Sequence, residues 1–287
     1  MRHEDSFRAM DTDIDIIIDS ADAAPPFALF AGVRRLFETQ EERFSRFRPT
    51  SLVSRLNAGK AVDDAWLAAA CRMAIEAHGS SGGIFNPLIL ESLERAGYGT
   101  TFAEVGGGDP HPIPAPSPAR SLQISGSVVT LRDGRLDLGG IIKGWTVDLA
   151  IGMLAASEPN ALVNAGGDLR CAGNEEGNDG WLVSIVQPGT ADDAWQGTIH
   201  GALTTSTSLK RRWKTDSGHE AHHLIDPRTG LPSASRFVQV STWHALTWKA
   251  ECWAKAVLIG GDETGRAAVA AGLEVLAFDG EGAACSF

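Results

Sequence analysis

Between Val105 and Pro118 the chain passes through Gly106-Gly107-Gly108 and then carries a proline at every second position from Pro110 to Pro118. Proline lacks a backbone N–H and has a fixed φ, so neither a helix nor a central strand can run through this stretch. It must be an extended connector, either a hinge or an excursion over the surface. Regular structure is confined to its two sides. A chain of 287 residues has room for one large domain or two small ones. The expectation is a single domain over 1–287, with the connector near 105–119.

On the N-terminal side, Ile14, Ile16 and Ile18 alternate with polar residues in Asp13–Asp19, the pattern of a half-buried strand. Phe30, Val33, Phe37 and Phe44 recur at helical spacing and predict a helix over Phe27–Phe44. Asp63 and Asp64 can cap a second helix through Trp66, Met73 and Ile75, ended at Gly79. The intervening FSRFRPTSLVSRLNAG is polar, contains Pro49 and has no period; it reads as a packed loop. On the C-terminal side, short strands are expected at Leu122–Ser125, Val128–Leu131 and Arg135–Leu138, with turns at Gly126-Ser127 and Asp133-Gly134. A helix follows at about Trp145–Ala156, then strands near Ala161–Asn164, Leu182–Val186, Thr198–Leu203 and Phe237–Thr242. A helix over Thr247–Ile259 and a strand at Glu274–Phe278 complete the order. Hairpin runs broken by a few helices indicate an α+β fold of mainly antiparallel sheets with packed helices, not a doubly wound sheet.

Charge and composition narrow the function. Lys and Arg number 25 against 36 Asp and Glu, a net charge of −11, which disfavours sequence-independent nucleic-acid binding. Cys71, Cys171, Cys252 and Cys285 form no CxxC pair, so zinc-knuckle and dithiol motifs are excluded and four reduced thiols are expected. No apolar run approaches the ~20 residues of a membrane span. The charged segment MRHEDSFRAM lacks the apolar stretch of a signal peptide, so a cytoplasmic location is expected. Glycine is abundant at 32 residues, which means many tight turns or backbone that lies close to a ligand.

Five segments carry candidate chemistry. Leu136–Gly144 reads LDLGGIIKG, a glycine turn and Lys143 at a helix start, where backbone N–H groups favour an anion; a plain turn fits equally well. Asn164–Asp168 reads NAGGD, where two glycines let another group approach the backbone or simply make a tight turn. The hydroxyls of ALTTSTS, Ala202–Ser208, can bind phosphate oxygens or be solvated. His223 sits on a short apolar strand leading into the turn Asp226-Pro227-Arg228-Thr229-Gly230 and is either a hydrogen-bonded core residue or a functional one. Glu251 and Lys255 lie four apart on a helix, as a surface ion pair would, yet their neighbours are apolar.

Taken in order, these segments resemble the ApbE family, the FAD:protein FMN transferases. The family's motifs match Met10-Asp11-Thr12, the loop Phe44–Asn57, Gly83-Ile84-Phe85-Asn86-Pro87, the segment Asp137–Asp148, Gly166-Gly167-Asp168, Thr205-Ser206 and His223–Gly230. The resemblance implies an ApbE-like (T-fold-like) architecture. It implies cleavage of FAD at its pyrophosphate and transfer of FMN to a Thr or Ser hydroxyl of an acceptor flavoprotein, with AMP released. It implies Mg²⁺ at the diphosphate. By position, Met10, Phe47, Asn57, Ile84, Phe85 and Asn86 would line the flavin and adenine site. Asp137, Lys143 and His223 would surround the diphosphate and flavin, and Gly139, Trp145, Gly166, Gly167 and Thr205 would complete the binding set. His223, Asp226 and Lys143 would be catalytic. The metal positions fall on the Ile142 carbonyl, Glu251 and Lys255.

The chain departs from the family at several of these places. Glu251 replaces an Asp, Lys255 a Thr, Asn86 an Asp, Asp11 a Gly and Thr207 a Gly. A protonated lysine has no lone pair for a metal, so Lys255 either takes over part of a cation's role or pairs with Glu251. Three further readings stay open: metal-dependent FAD pyrophosphatase, a non-catalytic FAD-binding protein and, without the resemblance, an α+β module that binds an anion at Gly139–Lys143.

Overall fold

A computed structural model describes residues 1–287. Its centre is an eight-stranded sheet in which every pairing is antiparallel. Across the sheet the strands run Arg2–Ala9, Thr12–Asp19, Ala161–Ala165, Asp168–Ala172, Ala202–Thr207, Phe237–His244, Glu274–Asp279 and Ala284–Ser286. The fold is α+β. The alternation in Thr12–Asp19 sets its two faces: Ile14, Ile16 and Ile18 are fully buried against Val33 and Phe37 of the Phe27–Phe44 helix and Val147 and Ile151 of the Ile142–Leu154 helix. Ile17, on the opposite side, joins Leu162, Leu203 and Trp181 beneath the Trp181–Val186/Asp193–Ile199 hairpin. A larger apolar cluster packs the Ala65–Ser80 and Thr247–Gly260 helices together and onto Val240, Val275 and Ala277 of the sheet.

Several elements differ from the sequence expectation. Arg2–Ala9 is an edge strand; only Phe7 and Ala9 are buried on it, so the hydrophobic pattern is faint. Its turn to the next strand is Met10-Asp11, with φ of 51° and 57°, the two left-handed positions of a two-residue hairpin. The loop after Phe44 contains a short helix, Leu52–Asn57, capped by the Ser51 hydroxyl, which accepts the Ser54 N–H. Arg135–Leu138 is not a strand. It is held by a side chain and by loop backbone: Asn57 Oδ1 accepts the Leu136 N–H at 2.7 Å, Asn57 Nδ2 donates to the Leu136 carbonyl at 2.9 Å, and the Asp137 N–H donates to the Pro87 carbonyl at 2.8 Å. The predicted strand at Thr198–Leu203 is broken at Gly201, whose φ of 83° turns the chain from Asp193–Ile199 into Ala202–Thr207.

The proline-rich connector is fastened rather than free. Ile113 and Ala115, which alternate with prolines, donate their N–H groups to the Thr229 and Pro227 carbonyls, each at 2.8 Å. The prolines fall on the alternate positions, where no donor is needed. Asn86 ties the connector to the Gly83–Pro87 turn: its Nδ2 donates to the Pro116 carbonyl and its Oδ1 accepts the Leu88 N–H. Both bonds together need an amide, because a carboxylate cannot donate.

Candidate functional site

The turn at Met10-Asp11, the start of the Ile142–Leu154 helix, the middle of the Thr247–Gly260 helix and the bend after the Glu220–His222 strand surround a cleft of about 520 Å³. Its apolar wall includes Met10, Phe44, Ile84, Phe85 and Tyr98. Its polar part holds Lys143, Lys255 and three arginines, Arg46, Arg48 and Arg211, against the carboxylates of Asp11, Glu41 and Asp137, and includes His223.

Two helices hold the lysines. The Gly144 N–H, in the first turn of the Ile142–Leu154 helix, donates to Glu251 Oε2 at 2.9 Å. Glu251 is fully buried, and its Oε1 takes Lys255 Nζ at 2.9 Å and lies 3.7 Å from Lys143 Nζ. Burial pushes the Glu251 carboxyl up, but the ammoniums of Lys255 and Lys143 outweigh it and hold it below its ordinary value. Lys143 also contacts the carboxylate of Asp168, which is buried at the start of its strand. Burial lowers the Lys143 ammonium to about 8, with Glu251 opposing. A second clamp joins the same helices: Asp148 accepts the Thr247 and Trp248 N–H groups and the Thr247 hydroxyl, and so caps the helix that carries Lys255.

His223 lies in the bend between the short strands Glu220–His222 and Ile225–Asp226, not on a strand. Its Nδ1 is shut off from solvent and has no partner. Burial, followed by the charges of Arg211 and Lys255, holds it well below the ordinary imidazole value, so at neutral pH the ring is uncharged and keeps a lone pair. His222, next to it, is engaged structurally: its Nε2 bonds the Ser233 carbonyl and its Nδ1 accepts the Leu224 N–H.

Of the residues singled out from the sequence, Met10, Phe47, Ile84, Phe85, Asn86, Asp137, Gly139, Ile142, Lys143, His223 and Lys255 line the cleft. Glu251 lies directly behind them. Six others have local partners elsewhere. Asn57 brackets Leu136. Trp145 packs on Phe44 and Trp66. The close approach that the glycine pair permits is made by the Thr12 hydroxyl on Gly166, while Gly167 donates its N–H to Asn164. Thr205 sits inside a central strand and shares a hydrogen bond with Ser241. Asp226 holds Arg228 through both carboxylate oxygens within the turn that fastens the connector.

Among the cleft residues that the sequence analysis does not single out are Arg46, Tyr98 and Arg211. Arg46 is 7% exposed and pairs with Asp137 at 2.9 Å; it lies 4.2 Å over Phe47 and 4.7 Å over Tyr98, and its Nη2 is buried without a partner. Tyr98 and Arg211 come from segments remote from it in sequence. Arg46 belongs to the loop Phe44–Asn57 that carries the family resemblance, whereas only the run Lys210-Arg211-Arg212 marks Arg211 in the sequence.

A model of the ApbE family matches residues 10–277, nearly the whole chain. The chain belongs to the ApbE family. Among curated ApbE-type relatives, an FAD:protein FMN transferase of Treponema pallidum is 28% identical over 84% of this chain and 74% of its own length. One from Vibrio cholerae is 30% identical over 46% of this chain, and the match spans only 40% of that protein. The structure of the ApbE protein from Thermotoga maritima superposes with a TM-score of 0.89 at 22% identity, over 100% of this chain and 97% of that one. The flavin transferase ApbE from Vibrio cholerae gives 0.79 at 21% identity with the same coverage. These likenesses show that the ApbE fold is shared. No helix is long and apolar enough to cross a membrane.

The residues at the ApbE cation positions do not fit a divalent metal. Lys255 presents an ammonium, which cannot ligate. Glu251 already serves that ammonium and the Gly144 N–H. The Ile142 carbonyl accepts the Thr146 hydroxyl at 2.7 Å. A cation placed 4 Å from an ammonium is repelled by about 4 kcal/mol per unit of charge at an effective dielectric of about 20. Here Lys143 would add to that repulsion.

Proposed function

We propose that the cleft binds FAD and that the protein transfers FMN to a Thr or Ser hydroxyl of an acceptor flavoprotein, releasing AMP. The observation that carries this reading is the pairing of an apolar wall with Lys143, Lys255, Arg211 and an uncharged imidazole in one cleft of the ApbE fold. An isoalloxazine ring needs the first and a diphosphate the second. In the transfer, the acceptor hydroxyl oxygen forms a bond to the FMN phosphorus while the bond from that phosphorus to the AMP oxygen breaks. We assign to His223, an uncharged imidazole among the residues that line the cleft, the role of taking the hydroxyl proton. Lys143, Lys255 and Arg211 stabilise charge on the phosphoryl oxygens and on the departing AMP. Asp137 orients the wall: its Oδ1 accepts the Gly139 N–H and its Oδ2 holds Arg46. No divalent cation takes part in this scheme.

The reading includes a cytoplasmic location, supported by four cysteines that form no disulfide. Chromatography of the nucleotides formed from FAD, with and without a flavin-acceptor domain, tests the function. AMP formed only when the acceptor is present is the transferase result. AMP with free FMN in its absence is the pyrophosphatase result, and intact FAD in both is the result for a binding protein without chemistry.

A further inference from the structure

Lys255 is the residue whose surroundings the family chemistry does not explain. Its side chain is 16% exposed and faces the cleft, while the carboxylate it pairs with is fully buried behind it. The stem runs alongside Gly140, where a β-carbon would come within 3.4 Å of Lys255 Cδ and 3.2 Å of the Phe85 ring. The absence of a side chain at 140 therefore makes room for the lysine. Of the three ammonium N–H groups, one is directed at Glu251, leaving two for a cleft ligand. Lys143 Nζ lies 3.7 Å from the same Glu251 oxygen, so two ammoniums converge on one buried carboxylate. A carboxylate serving two ammoniums and a backbone N–H is poorly placed to hold a dication as well.

We propose that Lys255 binds the diphosphate of the dinucleotide directly, as a built-in cation, so that dinucleotide binding by this chain needs no divalent metal. The proposal rests on the flavin reading for the identity of the dinucleotide, but not for the class of ligand, which is a diphosphate. Glu251 acts on this site only through Lys255 and Lys143: it neutralises part of their charge and fixes where they stand.

Calorimetric titration of the full chain tests this, with FAD as probe in EDTA and again in Mg²⁺, and with inorganic pyrophosphate in EDTA. Wild type should bind FAD in EDTA, with an affinity that Mg²⁺ leaves unchanged. Lys255→Met should weaken both probes in EDTA by about tenfold or more, the loss expected for one hydrogen bond between charged groups. Lys255→Arg keeps the charge and should retain most of the binding, which separates loss of the cation from loss of the fold. Wild type that takes FAD only with Mg²⁺ overturns the proposal, as does a Lys255→Met variant that binds FAD in EDTA as wild type does. If FAD is refused throughout while pyrophosphate binds and depends on Lys255, the clamp stands and the flavin reading falls. Refusal of both probes in EDTA overturns the clamp.

Discussion

The Gly144 N–H donates to Glu251 Oε2 across 2.9 Å, joining the first turn of one helix to the middle of another. The cleft lysines are spaced by that contact, since Lys143 precedes Gly144 and Lys255 lies one turn beyond Glu251. Asp148 repeats the join one turn along the first helix, at the N-terminus of the second. The geometry of the charged half of the cleft thus follows from how closely these two helices pack.

Gly144 is the point of closest packing. A β-carbon there would stand 2.9 Å from Glu251 Oε2, from the Thr247 carbonyl carbon and from Trp248 Cα. Two of these are backbone atoms, which cannot swing aside. Gly144→Ala should destabilise the fold by about 2 kcal/mol or more, read as a lower urea midpoint with an unchanged slope. A midpoint equal to wild type would show that the helices can part without cost.

The two adjacent histidines should behave differently on substitution. His223→Ala should lower turnover by about a hundredfold or more, the usual worth of a positioned acid–base group. His222→Ala should leave turnover near the wild-type rate but cost about 1–3 kcal/mol of stability, because the Ser233 carbonyl and Leu224 N–H lose their partner. Turnover assays and denaturant melts on both variants check this; a crippled His222 variant with an active His223 variant would reverse the assignment.

Acid should destabilise the protein through its imidazoles. Unfolded histidine takes its proton near pH 6.5, whereas folded His223 is held well below that, chiefly by burial. As pH falls through this window the unfolded chain binds a proton that the folded chain refuses, so stability is full above it and is lost going down. Each such group contributes a slope of up to about 1.4 kcal/mol per pH unit. His78, His222 and His244 are lowered by burial too and act with the same sign. His223→Gln should reduce the slope by close to one proton; urea midpoints at about pH 7.5, 6.5 and 5.5 measure it. An unchanged slope would mean that His223 titrates normally in the fold.

Asn57 should prove structural. Asn57→Asp keeps the acceptor for the Leu136 N–H but sets a carboxylate oxygen against the Leu136 carbonyl. The expected cost is about 1–3 kcal/mol, with FAD affinity little changed because Asn57 does not line the cleft. Calorimetry and thermal melts separate these effects, and a large loss of FAD affinity at unchanged stability would place Asn57 on the ligand.

The helices were legible where one face is buried and the other solvated. Phe30, Val33, Phe37 and Phe44 mark Phe27–Phe44, and Asp64 caps Ala65–Ser80 by accepting the Leu67 N–H. The Arg2–Ala9 strand was not, because an edge strand with two buried side chains carries almost no period. Arg135–Leu138 looked like a strand because Leu136 and Leu138 alternate and are buried, yet it pairs with the Asn57 side chain on one side and with the irregular Pro87–Leu90 backbone on the other, not with a strand. Local spacing also could not show that Arg46, Tyr98 and Arg211 share one cleft, since tertiary packing alone brings those segments together. The Asp226 turn reads as chemistry in sequence, but its carboxylate is occupied by Arg228.

The intact mass of an acceptor flavoprotein, measured after incubation with this protein and FAD in EDTA, tests flavin transfer most directly. The expected result is a gain of one FMN less one water on a Thr or Ser, with AMP released in equal amount. An acceptor of unchanged mass, in EDTA and equally when Mg²⁺ is supplied, would contradict it.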